Sequence, residues 1–177
     1  MSHIGQIDYA TASADIKAAH DEEVRRRGGV TNMKRTLLHS VPAFKAYMEW
    51  YTLRDTLVPV IGARAVAVFS HAISTENHCL ICSTFFRRAL IDSGISPDDF
   101  TPTPDEELLI AFGRAIVATP HDIPAAIWDG LKARYSTVEL VNLVAFAGLM
   151  VATNLFNTVV RVDLDEGLYA YKKENAA

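Results

Sequence analysis

Cysteine is scarce in this sequence, two residues in 177, and one pair cannot staple a chain of that length in place of a packed core. Glycine and proline are also few, nine and seven, which excludes collagen-like and low-complexity architectures. A basic surplus is missing too. Seventeen Lys and Arg stand against 21 Asp and Glu, a formal net charge of −4, so no nucleic-acid partner is expected. The start, Met1 to Asp8, has neither the basic residues nor the apolar run of an export signal. The expectation is a cytoplasmic protein, where cysteines are more often reactive or metal-binding than structural. No Gly-rich phosphate loop, Walker motif or GxSxG occurs, and no cofactor is expected.

What the chain has is apolar residues, 50% of the total, in a length that suits one domain over 1–177. That surplus needs a membrane, a core or a subunit interface. From Leu140 to Val160 no residue is charged, and the run could span a bilayer. Asn142, Thr153, Asn154, Asn157 and Thr158 interrupt it with polar groups that lipid cannot satisfy, and basic flanks are lacking. The reading is a helix buried nearly all round at the centre of a bundle or oligomer, with no membrane association.

Helical periodicity dominates and no segment alternates like a strand, so the fold class is all-α. Ser13 to Arg27 reads as a helix stopped by Gly28-Gly29, within an N-terminal helical extension of about residues 1–30. Further helices are expected over Asn32–His39, from Pro42 through Tyr51, over Gly62–Thr75, from the cysteines to about Asp92, and over Asp105–Ala118 and Ala125–Ala133. Ser136 with Glu139 forms a capping box that opens the long apolar helix. The polar tail, about 162–177, reads as an arm or frayed end.

The chemistry concentrates in Ser74-Thr75-Glu76-Asn77-His78-Cys79-Leu80-Ile81-Cys82. Two cysteines at CxxC spacing on the first turns of a helix can close a disulfide, and the helix N-terminus favours a thiolate. With Asn77 as N-cap, Cys79 lies nearer the dipole than Cys82. The competing readings are a pair of small core residues and a zinc half-site. His71, His78, Cys79 and Cys82 have the right atom types, but no second half-site follows, so no metal is expected.

Ala72 to Cys82 resembles the core of the AhpD-like alkylhydroperoxidases of the carboxymuconolactone decarboxylase superfamily. Thr31 to Pro42 and Asn154-Leu155-Phe156-Asn157 are similar to segments of its peroxidase-related members, so the likeness runs from about Asn32 to Asp165. It implies an AhpD-like helical bundle that associates into a homo-oligomer, trimer or hexamer. It also implies a dithiol peroxidase or thiol-disulfide oxidoreductase of antioxidant defence. The partners would be a hydroperoxide substrate and a dithiol protein or small thiol as reductant. Lactone decarboxylation, the superfamily's other branch, gains nothing from CxxC.

The family motif is E-x11-C-x2-C-x3-H, whose Glu and His relay protons. Here those positions hold Ala67 and Phe86, and Ile81 stands between the cysteines where some members have histidine. Only Cys79 and Cys82 carry over. His71, one turn beyond Ala67 on the same helix face, is the candidate substitute relay, against the plainer role of a histidine at a packing seam. The departures motivate an alternative function, a non-catalytic oligomeric redox sensor or small-ligand-binding member. His78 and Glu76 read as loop or cap residues, and His121-Asp122 as a loop without a nucleophile nearby. Tyr47, Trp50 and Tyr51 read as core or interface, and Asn154 and Asn157 as buried hydrogen-bonding groups.

Overall fold

The first helix of the computed structural model, α1 (Ala14–Arg27), ends where the sequence says it should: Gly28 turns left-handed at φ 78° and its N–H bonds to the Val24 carbonyl. The structure describes residues 2–173, and among them the regular elements are helices only. α2 (Asn32–Leu37) starts on Thr31 and α3 (Val41–Ile61) on Ser40, whose hydroxyl oxygens accept the Lys34 and Ala43 N–H groups. Then come α4 (Ala63–Glu76), α5 (Leu80–Asp92), α6 (Pro104–Ala118), α7 (Ala125–Lys132), α8 (Thr137–Val160) and a 3-10 helix, Glu166–Tyr171.

α4 is the central element, packed against α6, α5 and α8, while α3 lies along α8. Phe69 of α4 stacks between Phe112 of α6 and Phe146 of α8 with ring centroids 6.0 and 6.1 Å away, all three fully buried. The α4–α6 approach is close enough to need Gly113, where a Cβ would sit 3.0 Å from Ile73 Cγ1. A second cluster joins Leu37, Leu38 and Phe44 to Ile7 and Ile16.

Three expectations change. The capping box of α8 is present, the Ser136 hydroxyl accepting from the Glu139 N–H and the Glu139 carboxylate from the Ser136 N–H. The helix is not buried all round, however. Leu143, Phe146, Ala147, Met150, Asn154 and Asn157 face the core, whereas Val138, Val141, Leu155 and Val159 are each at least 60% exposed, because the other helices cover one side only. By length and composition α8 could cross a membrane, but its inner face is committed to α3, α4 and α5.

The C-terminal segment, expected as an arm or frayed end, is a packed arm over its described residues. Val162, Leu164 and Leu168 are buried, the 3-10 helix lies on α5, and the Tyr171 hydroxyl donates to Asp92 Oδ1 at 3.0 Å. Apolar residues spaced through a polar tail are enough to dock it. Residues 174–177 of that expected arm fall outside the described residues. At the other end, residues 2–13 form no helix; the His3 N–H bonds to the Val160 carbonyl at 2.8 Å and the Ile7 N–H to the Arg35 carbonyl at 3.2 Å.

Candidate functional site

The cysteine helix begins two residues later than the sequence suggests. Asn77 is not its N-cap but the C-cap of α4, and the chain reverses at His78, which adopts the left-handed conformation at φ 53°. The His78 N–H bonds to the Thr75 carbonyl at 3.1 Å and the Cys79 N–H to the Ser74 carbonyl at 3.0 Å. Those two bonds make the Schellman closure of α4, with an exposed histidine where glycine is usual. The turn places Cys79 itself at the N-cap of α5.

That shift changes the electrostatics. A capping position normally holds an oxygen that accepts an N–H from the first turn; here Cys79 Sγ accepts the Cys82 N–H at 3.4 Å. The sulfur therefore meets the positive end of the helix directly. The hydrogen bond from the Cys82 thiol lowers the Cys79 pKa first, and the Cys82 N–H, the Thr158 hydroxyl and the Ile81 N–H add to it, against the opposing effect of burial. Cys82 is pushed well up, by sharing that proton with Cys79 and by burial. The pair thus holds its first negative charge at Cys79. Both thiols are free and buried.

Access runs the other way. A cavity of about 90 Å³ opens beside Cys82, walled by α2, α3, α5 and α8. Its sides are mostly apolar, with Met33, Trp50, Phe85, Phe86 and Met150, and it reaches Cys82 but not Cys79. Asn157 Nδ2 donates to Cys82 Sγ at 3.2 Å, which places the asparagine against the cysteine pair as well as in the bundle. One turn earlier Asn154 Oδ1 accepts from the fully buried Ser74 hydroxyl at 3.3 Å. Asn154 Nδ2 and Asn157 Oδ1 are buried without a partner among the described residues.

His71 answers to a different set of charges. The groups acting on the sulfurs are the cysteines themselves, Asn157, Thr158 and the first-turn N–H groups. Those acting on His71 are Arg87, Asp98, Lys173 and Arg114. Burial, with Arg87 next, lowers its pKa from 6.5 to about 4, so at neutral pH it is an uncharged imidazole. Between pH 6.5 and 4 the unfolded chain binds a proton on His71 that the folded chain refuses. Stability contributed at this site is therefore full above pH 6.5 and falls as pH drops toward 4, by up to about 3 kcal/mol. Urea unfolding of wild type and His71→Gln at pH 7, 5.5 and 4 measures it. The wild type is expected to lose more stability than the variant over that range, and parallel losses would refute the assignment.

The sequence reading missed the polar side of the cavity. Tyr47, Trp50 and Tyr51, taken as core or interface, line it, as does Lys34 of α2. Lys34 is 5% exposed and its ammonium donates to Glu23 Oε1 of α1 at 2.5 Å and to the Tyr51 hydroxyl of α3 at 2.8 Å. No short motif marks this network, since its members stand 11 and 17 residues from Lys34. Among the described residues no group of three or more His, Cys, Asp or Glu is arranged to hold a metal ion.

Neither a known family profile nor a curated protein matches the chain in sequence. Solved structures do match in fold. The debrominase Bmp8, in its apo form, superposes with a TM-score of 0.76 at 14% identity over 95% of both chains. An uncharacterized peroxidase-related protein with an alkylhydroperoxidase AhpD core, from Ralstonia eutropha JMP134, gives 0.71 at 16% identity, over 95% of this chain and 94% of that one. Another, from Silicibacter sp. TM1040, gives 0.71 at 11%, covering 93% and 94%. The chain has the all-helical fold of the AhpD-like, peroxidase-related proteins.

Proposed function

We propose that Cys79 and Cys82 form a redox dithiol that reduces an organic hydroperoxide. The observation that carries this is the division of labour in the pair: Cys79 is the N-cap and the thiol whose pKa is lowered, while Cys82 borders the cavity. Cys82 passes its proton to the Cys79 thiolate and attacks the terminal peroxide oxygen. The O–O bond breaks, Cys82 becomes a sulfenic acid and an alkoxide departs, taking up one proton. Cys79 then displaces water from the sulfenic acid and closes the disulfide. A dithiol protein or small thiol restores the pair by exchange. The apolar walls favour an alkyl or aryl hydroperoxide over hydrogen peroxide.

His71 as the proton relay rests on its spacing from Ala67, one turn away on the same helix. The exposed face of α8 supports association with further copies of the chain, as a trimer or hexamer. The fold shared with a debrominase suggests a variant of the same chemistry to test, in which the electrophile is bromine: the carbon that carried it gains a proton, bromide leaves, and the dithiol becomes the disulfide.

Ala67 and Phe86 favour the second reading, a redox sensor or ligand-binding oligomer that forms the disulfide without turning over. Titrating the reduced protein with cumene hydroperoxide, counting thiols and alcohol product, tests the first. Two thiols should disappear for each alcohol formed, and repeated turnover should follow when a dithiol reductant is supplied. A single oxidation with no turnover under several reductants would establish the sensor, and no thiol loss would remove the redox reading altogether.

A further inference from the structure

The alkoxide that leaves a hydroperoxide is a strong base and needs a proton as the O–O bond breaks. Among the described residues the side chains that act on the two sulfurs besides each other are Asn157 and Thr158, and the positions that resemble a Glu and a His relay hold Ala67 and Phe86. The lining of the cavity that Cys82 borders does hold an acid, the Tyr51 phenol. Lys34 and Tyr51 line it together with Cys82, so a molecule filling that space against the thiol also meets them.

Their hydrogen bonds are arranged for proton donation. The Tyr51 oxygen accepts from the Lys34 ammonium at 2.8 Å, which leaves the phenolic O–H as a donor. Lys34 in turn has its charge balanced by Glu23 Oε1 at 2.5 Å, in a pair 6% and 7% exposed. The Arg27 guanidinium lies 3.8 Å from the Tyr51 ring centroid, a second cation against the same phenol. The Arg54 guanidinium lies 4.9 Å from the same centroid, so a phenolate formed there is met by three cations. A buried ion pair contributes little net stability compared with apolar residues in the same place, so this network is costly packing unless it does something else.

Taking the dithiol reading as its basis, we propose that Tyr51 is the acid of the site and Lys34 its positioning residue. Cys82 attacks the terminal oxygen, the O–O bond breaks, and the Tyr51 proton moves to the departing alkoxide, giving the alcohol. The phenolate is held by Lys34 and recovers its proton from solvent after the disulfide has closed.

The test is the leaving-group dependence of a single turnover, which needs no physiological reductant. The reduced full-length protein is mixed with cumene hydroperoxide, which releases an alkoxide, or with peracetic acid, which releases a carboxylate that needs no proton. Thiol loss is quenched by alkylation. Tyr51→Phe is expected to slow the cumene hydroperoxide reaction by about 10²-fold or more and the peracetic acid reaction by less than about 3-fold. The double variant Glu23→Leu with Lys34→Met, which removes the ion pair as a unit, should show the same selectivity in weaker form. Equal slowing with both oxidants, or none, overturns the acid assignment while the dithiol stands. A wild type inert to both removes the dithiol reading and this one with it.

Discussion

Cys82→Ser should lose hydroperoxide-driven oxidation by about 10³-fold or more, the loss expected when the attacking nucleophile itself is removed. Cys79→Ser should behave differently. Its first oxidation should still occur, more slowly, and stop at a sulfenic acid on Cys82 that dimedone traps. The asymmetry follows from geometry. Cys82 borders the cavity and Cys79 does not, so an oxidant meets Cys82 first, although Cys79 is the thiol whose pKa is lowered. Cys79 then has two tasks, taking the Cys82 proton and closing the disulfide, and the second has no substitute. Serine at 79 keeps the cap, because its oxygen is a better acceptor of the Cys82 N–H than sulfur. Loss of disulfide in that variant is therefore chemical and not a failure to fold. Mass spectrometry of the dimedone adducts decides the order: an adduct in Cys82→Ser with none in Cys79→Ser would make Cys79 the attacking sulfur.

The part of this site legible in the sequence was the part that is local. CxxC spacing and the Ser136–Glu139 capping box each depend on residues within one turn, and both could be read directly. Asn77 shows where local reading stops. It is a good N-cap residue just before a helix, but α4 runs on to Glu76 and the chain reverses at His78, so the cap passes to Cys79. Nothing in Glu76-Asn77-His78 announces that a histidine will take the left-handed position. The Glu23–Lys34–Tyr51 network was out of reach for another reason, since it joins three helices. On α3 the apolar spacing that marks a core face is the same spacing that builds a cavity wall, so Tyr47, Trp50 and Tyr51 read alike in either role. α8 was half legible. Its apolar content required burial, but one chain supplies neighbours for one face only.

The other face of α8 carries its own prediction: Gly148→Glu should abolish the proposed self-association without unfolding the chain. Val138, Val141, Ala145, Gly148, Ala152, Leu155 and Val159 follow one another by alternating steps of three and four, the a/d spacing of helix-on-helix packing. Val138, Val141, Ala145, Gly148, Leu155 and Val159 are exposed in the single chain and Ala152 is partly so. The small residues stand in the middle of the stripe, where two helices would approach most closely. A Cβ added at Gly148 meets no atom within 4 Å inside the chain, and replacing a mid-helix glycine favours the helix by about 1 kcal/mol. The substitution is thus harmless to the isolated fold. Between copies it buries an unpaired carboxylate at the closest approach, a penalty of several kcal/mol for each copy. Sedimentation equilibrium should show a trimer or hexamer for the wild type at micromolar concentration and a monomer of 19.5 kDa for the variant, with far-ultraviolet circular dichroism unchanged. A wild type that already sediments as a monomer would remove the assembly, and an assembly that survives Gly148→Glu would move its interface off this face of α8.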